Sequence, residues 1–87
     1  MEPRLALIGI IVEETESIEK INSILHDYGE YIIGRMGVPH ARCHVSVISV
    51  IIDGPGDIIS ALSGKLGMLP GVSTKTIYSK TSAPQAE

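Results

Sequence analysis

Two runs of this chain, residues 5–12 and 45–52, are apolar on both faces when drawn as extended strands. Successive side chains of a strand alternate sides. In the first run Leu5, Leu7 and Ile11 oppose Ala6, Ile8, Ile10 and Val12. In the second, Val45, Val47 and Ile51 oppose Ile48, Val50 and Ile52. The helical segments of the chain suffice to cover one side of a sheet, so the other side calls for a partner. The pattern predicts a homo-oligomer, a dimer or higher, built from a small α+β domain.

Chain length agrees with that expectation. A chain of 87 residues makes a single domain near the small end of independent folding, where association is a common source of added stability. Apolar residues make up 44%, but Phe and Trp are absent and the aromatics are Tyr28, Tyr31 and Tyr78, so the core must be aliphatic. Seven basic and ten acidic residues give a formal charge of −3, and the basic ones are scattered from Arg4 to Lys80. Nucleic-acid binders draw much of their affinity from a basic surface that neutralises phosphates. Direct nucleic-acid binding by this chain alone is therefore not expected. Cys43 is the single cysteine, which excludes an intrachain disulfide and fits a cytoplasmic location. The first apolar run stops at Glu13 and Glu14, too short for a membrane span. Residues 81–87, TSAPQAE, lack any apolar period and read as a disordered tail behind one domain over residues 1–80.

Periodicity orders the elements. Ile18, Ile21, Leu25 and Tyr28 recur at three- and four-residue steps, predicting a helix over 16–28. Thr15 is its expected N-cap and Gly29 its expected left-handed terminator. Residues 30–37 read as a short strand weakened by Gly34 and Gly37, and Pro39 to Arg42 as the turn into a third strand over 44–53. The Asp53-Gly54-Pro55-Gly56 run reads as a breaker. Asp57 is then expected to cap a second helix with Ile58, Ile59, Leu62 and Leu66 on its inner face. Gly64 inside that helix implies close approach to the sheet. After Pro70 and Gly71, residues 72–78 supply a fourth strand whose Lys75 suits an exposed edge. The order β-α-β-β-α-β is that of a ferredoxin-like sandwich: a four-stranded antiparallel sheet with two helices on one face. Its central strands are the first and third, which are the two runs apolar on both faces. Either Val47 and Ile51 or the opposite-facing Ile48 and Val50 are thus candidates for an oligomer interface.

Catalytic chemistry is hard to find. His40, Cys43 and His44 are a metal-ligand set by type, being imidazole and thiolate within five residues. Side chains so close on one extended loop rarely converge on one ion, so no metal is expected and this set stands as the alternative. Gly34, Arg35 and Gly37 could bring backbone and a guanidinium to an anion, although glycines also relieve a twisted edge strand. Glu13 and Glu14, at the first strand-to-helix turn, complete the candidate ligand-binding residues, although carboxylates there also suit the helix dipole. Ser63-Gly64-Lys65 lacks the order of a phosphate loop, and no nucleophile elbow is present. The chain is read as a non-enzyme without a cofactor.

With that element order in hand, the segments IIGRMGVP (32–39) and ALSGKLGMLPGV (61–72) carry a resemblance. Over residues 4–80 the chain resembles the small regulators linked to iron-only hydrogenase systems. That family is grouped with ACT-like domains and the C-terminal sensing domain of the nickel-responsive repressor. The resemblance implies a cytoplasmic, oligomeric, ferredoxin-like module that regulates transcription by sensing a small effector or binding a partner protein. The repressor carries a ribbon-helix-helix segment ahead of its sensing domain, whereas here the first strand begins within a few residues of Met1. Direct operator binding by this chain alone is accordingly not expected. The paired His-x-His ligands of that repressor have no counterpart, since Gly34, Arg35 and Met36 occupy the corresponding stretch. Acylphosphatases share this fold, but they need an Arg in the first β–α turn and an Asn on the third strand. Here that turn is acidic, and the single Asn, Asn22, falls in the first helix.

Overall fold

The computed structural model describes residues 3–80, with the backbone alone for residues 40–42. The tail expected at 81–87 lies outside the described residues. Strand β1 (Pro3–Val12) leads through a 3-10 turn (Thr15–Ser17) into helix α1 (Ile18–Asp27). Strands β2 (Ile32–Arg42) and β3 (Val45–Pro55), helix α2 (Gly56–Gly67) and strand β4 (Val72–Tyr78) follow. The four strands form one antiparallel sheet in the order β2-β3-β1-β4, so β1 and β3 are central. This is the α+β sandwich that the sequence predicts.

Register decides which side chains meet the helices. Along β1, Ala6, Ile8, Ile10 and Val12 are buried; along β3, Ile48, Val50 and Ile52 are. They form one aliphatic cluster with Ile21 and Leu25 of α1 and Ile59, Leu62 and Leu66 of α2. Their neighbours Leu5, Leu7, Ile11 and Ile51 point to the other, uncovered face. Among the described residues, no helix is long and apolar enough to cross a membrane.

Several boundaries differ from the sequence expectation, each for a local reason. Thr15 is not a side-chain cap, because the first turn is 3-10 and its cap residue is Glu14. The anchor is instead the Ser17 hydroxyl, which donates to the Pro70 carbonyl at 2.7 Å and ties the start of α1 to the α2–β4 turn. Gly29 is not left-handed; α1 ends through successive tight turns, Gly29 N–H to His26 C=O and Tyr31 N–H to Tyr28 C=O. Pro39 to Arg42 do not form the turn. Strand β2 runs on to Arg42 with a register irregularity after Val38, and the connection is only Cys43 and His44. His44 takes φ 62, a left-handed conformation, at the second position of this turn. Pro39 is tolerated because β2 is an edge strand with one side free of a ladder. The Asp53-Gly54-Pro55-Gly56 run likewise does not stop β3, which pairs through to Pro55 opposite Pro3. Pro55 then occupies the N-cap of α2, and Asp57 falls in the first turn.

Two glycines have opposite meanings. Gly64 is exposed, and a Cβ there would meet nothing within 4 Å, so the close approach expected from sequence does not exist. Gly71 has φ +70, and a Cβ on it would collide with the Glu14 side chain and backbone. Gly64→Ala is therefore expected to stabilise the fold by about 0.5–1 kcal/mol through helix propensity. Gly71→Ala is expected to destabilise it by about 1–3 kcal/mol. Urea denaturation of both variants at equal protein concentration measures the contrast.

Candidate functional site

The uncovered sheet face is an ordered grid. Cross-strand pairing sets Val38, Val47, Ile11 and Ser73 in one row and Gly34, Ile51, Leu7 and Ile77 in another. Between them run Met36, Ser49, Gly9 and Lys75. Two largely aliphatic rows thus flank a smaller, more polar one centred on Gly9. The most exposed large apolar side chains of this face range from 40% at Leu7 to 65% at Met36 and Ile77, while Gly9, Gly34, Val47 and Ser49 are half-buried. A shallow depression of about 320 Å³ opens at one end, lined by Leu5, Leu7, Ile51 and Ile77. Of the candidate interface residues, Val47 and Ile51 lie on this face. Ile48 and Val50 do not, because the register places them under the helices.

A second feature lies on the helix side of the edge strand. Helix α1 packs over the centre of the sheet through Ile21 and Leu25. Between α1 and β2 a cleft of about 180 Å³ remains, lined by Ile18, Asn22, Arg35, Gly37, Pro39 and Ile48 among others. Ile18 and Asn22, four residues apart, share one helix face. Arg35 and Gly37 share one strand face, opposite Val50 and Ile48. Arg35 Nη2 donates to Asn22 Oδ1, a bond that bridges the two elements.

Of the five ligand-binding candidates, Arg35 and Gly37 meet in this cleft. Gly34 belongs to the open face, where its missing side chain sits over Ile51. Glu13 and Glu14 do not line the cleft. The Glu13 N–H donates to the Gly71 carbonyl at 2.7 Å, and the Glu14 carbonyl accepts the Ser17 N–H at 3.0 Å. The first bond latches the two turns together and the second closes the 3-10 turn itself. Asn22, Ile18 and Ile48 are cleft residues that sequence reasoning missed. The i, i+4 spacing of Ile18 and Asn22 was a usable signal, but their place beside β2 depends on a register that no local pattern contains.

The metal alternative finds little geometry. Cys43 and His44 are exposed at the β2–β3 turn, and the His40 side chain is outside the described residues. Among the described residues, no three His, Cys, Asp or Glu side chains are grouped to hold an ion. The Tyr31 hydroxyl is raised above its ordinary value of 10.0, chiefly by its hydrogen bond to the Glu30 carboxylate. Tyr31 precedes β2 and packs over Gly54, outside the cleft.

Comparison with known proteins adds a family. The model described as "TM1266-like: Iron-only hydrogenase system regulator, putative" matches residues 4–76. The structure of uncharacterized protein TM1266 from Thermotoga maritima is similar at TM-score 0.85 and 34% identity, covering 91% of this chain and 100% of that one. CPII, a nitrogen regulatory PII-like protein from Thiomonas intermedia K12 bound to ADP, AMP and bicarbonate, is similar at TM-score 0.53 and 18% identity. That match covers 91% of this chain and 99% of CPII, and it is a likeness of fold. No curated protein matches the sequence.

The assignment of the two strand faces has a direct check. Ile48→Ala, which removes a buried side chain that packs under the helices, is expected to cost about 2–5 kcal/mol in denaturant unfolding. Gly9→Ala, whose Cβ would meet nothing nearer than the Lys75 carbonyl oxygen at 3.9 Å, should leave the unfolding midpoint nearly unchanged.

Proposed function

We propose a regulatory role for this chain, which belongs to the TM1266-like family of iron-only hydrogenase system regulators: it works as a non-enzymatic, self-associating module in the control of transcription. A small effector or a partner protein supplies the signal. The observation that carries this reading is the open sheet face. Strands about 4.8 Å apart, followed for about 25 Å, give four strands a face of roughly 450 Å². The largest apolar patch on a typical monomer is about 300–600 Å², and patches of that size are often functional. Here Leu5, Leu7, Ile11, Met36, Val38, Ile51 and Ile77 are all exposed on one such patch.

A second copy of the chain is the simplest cover. The face offers aliphatic rows and few charges, so it is matched best by another surface of the same kind. Two-fold pairing makes one face serve as both partners. Each aliphatic side chain fully withdrawn from water contributes roughly 1.5–3 kcal/mol, and these are already partly covered by their neighbours.

Sedimentation velocity tests the reading. The unmodified chain is expected to run as a dimer or larger species at about 10 μM. Leu7→Lys or Ile51→Lys should shift it to monomer, because each sets a charge in the middle of an aliphatic row. Thermal stability should fall on dilution for the parent chain and not for these variants. A well-folded monomer of the unmodified chain at that concentration overturns the proposal.

A further inference from the structure

We infer that the cleft between α1 and β2 is a binding site for a small carboxylate that carries a short aliphatic group and no cationic group. The inference deepens the effector arm of the regulatory reading and rests on it.

Gly37 is the first observation. It faces the helices opposite Ile48 at the floor of the cleft. Its backbone is not left-handed, and a Cβ there would meet only Ile48 Cγ1 at 4.0 Å, an ordinary contact. Neither conformation nor packing requires glycine at this position. What glycine secures is the empty volume under α1, walled by Ile18, Ile48 and Pro39.

The charge in the cleft is the second. Arg35 lies two residues before Gly37 on the same strand face, and its Nη2 donates to Asn22 Oδ1 on the helix. A guanidinium has five donors in a rigid fork. One bond to a side-chain amide orients that fork and leaves donors for a two-point contact with a carboxylate. Among the described residues lining the cleft, none is acidic. The Arg35 charge is thus uncompensated inside the cleft, and an ammonium group entering it would find no counter-charge.

Size narrows the ligand further. The volume of about 180 Å³ falls below the roughly 300–1,000 Å³ of pockets that enclose drug-sized molecules. A nucleotide does not fit; a carboxylate with a few carbon atoms does. Because Arg35 is exposed, the ion pair is partly screened, and a dissociation constant of about 1 mM is expected.

Titration of the isotope-labelled chain with sodium isovalerate, followed by amide NMR, tests the inference. Isovalerate should shift the Gly37 backbone and Asn22 side-chain amide signals saturably. Isovaleramide, leucine and inorganic phosphate should each bind at least about tenfold more weakly, lacking in turn the charge, the purely apolar body and the aliphatic group. Arg35→Gln should lose binding. Gly37→Leu should fill the cleft and do the same, and if that variant fails to fold, Gly37→Ala should weaken binding while keeping the parent spectrum elsewhere. Absence of saturable shifts at about 20 mM overturns the inference, as does equal binding of isovaleramide or phosphate. A chain that self-associates but ignores isovalerate overturns this inference alone. A monomer that binds isovalerate overturns the self-association reading and leaves the cleft assignment standing.

Discussion

Everything else in the molecule hangs on the pairing of β1 with β3. The two strands run antiparallel in unbroken register from Pro3 opposite Pro55 to Val12 opposite Ser46. A strand shifted by one residue turns every side chain to the other face. In most sheets with one covered face that error is heavily penalised, because it exposes apolar residues and buries polar ones. Here both faces of both strands are aliphatic, so polarity alone discriminates weakly. Shape supplies the distinction. The buried set, Ile8, Ile10, Val50 and Ile52, is continuous. The opposite set is interrupted by Gly9 and Ser49, which pair with each other at mid-strand. A slipped register would lay that gap under the helices and open a hole in a core whose fully buried members are all aliphatic.

The central strands and both helices were legible because their signals are local and repeated. Ile21 and Leu25 are on the inner face of α1 where the period puts them, and β4 spans the expected 72–78. What was not legible depends on pairing between distant residues. The extent of β2 is the clearest case. Gly34, Gly37 and Pro39 all argue against a long strand, yet β3 alongside carries the ladder through to Arg42. Gly64 is the reverse error: a glycine in a helix usually marks a close approach, and here it faces open space. Gly71 has the tight packing instead, against Glu14, a contact between turns nearly sixty residues apart in sequence.

The same limit governed the candidate site. Gly34, Arg35 and Gly37 read as one cluster in sequence, but strand alternation and a register irregularity near Gly34 send Gly34 to the open face and the other two to the cleft. Glu13 and Glu14 read as open carboxylates at a helix start, and the fold uses their backbone to hold Gly71 and Ser17. The alternation in β1 and β3 revealed apolar residues on both faces of the central strands. It did not reveal which face was spare, because that depends on which alternate residues the helices happen to reach.

The cleft and the open face are two sides of the same strands, and this gives the regulatory reading a physical route. Val38 and Val47 pair with each other on the open face, and the same two residues form the rim of the cleft beside Gly37 and Ile48. Strand β2 is an edge strand tied to α1 across the cleft by the Arg35–Asn22 hydrogen bond. A carboxylate held by the remaining Arg35 donors fills the cleft beside that tie, so β2 can settle differently against α1. Any such shift carries Val38 and Met36 with it, and these are outer members of the aliphatic face. Linkage then requires reciprocity: whatever factor the carboxylate applies to self-association, self-association applies to carboxylate affinity. A coupling of this kind needs no long pathway through the core, because the two surfaces are separated by the thickness of one strand.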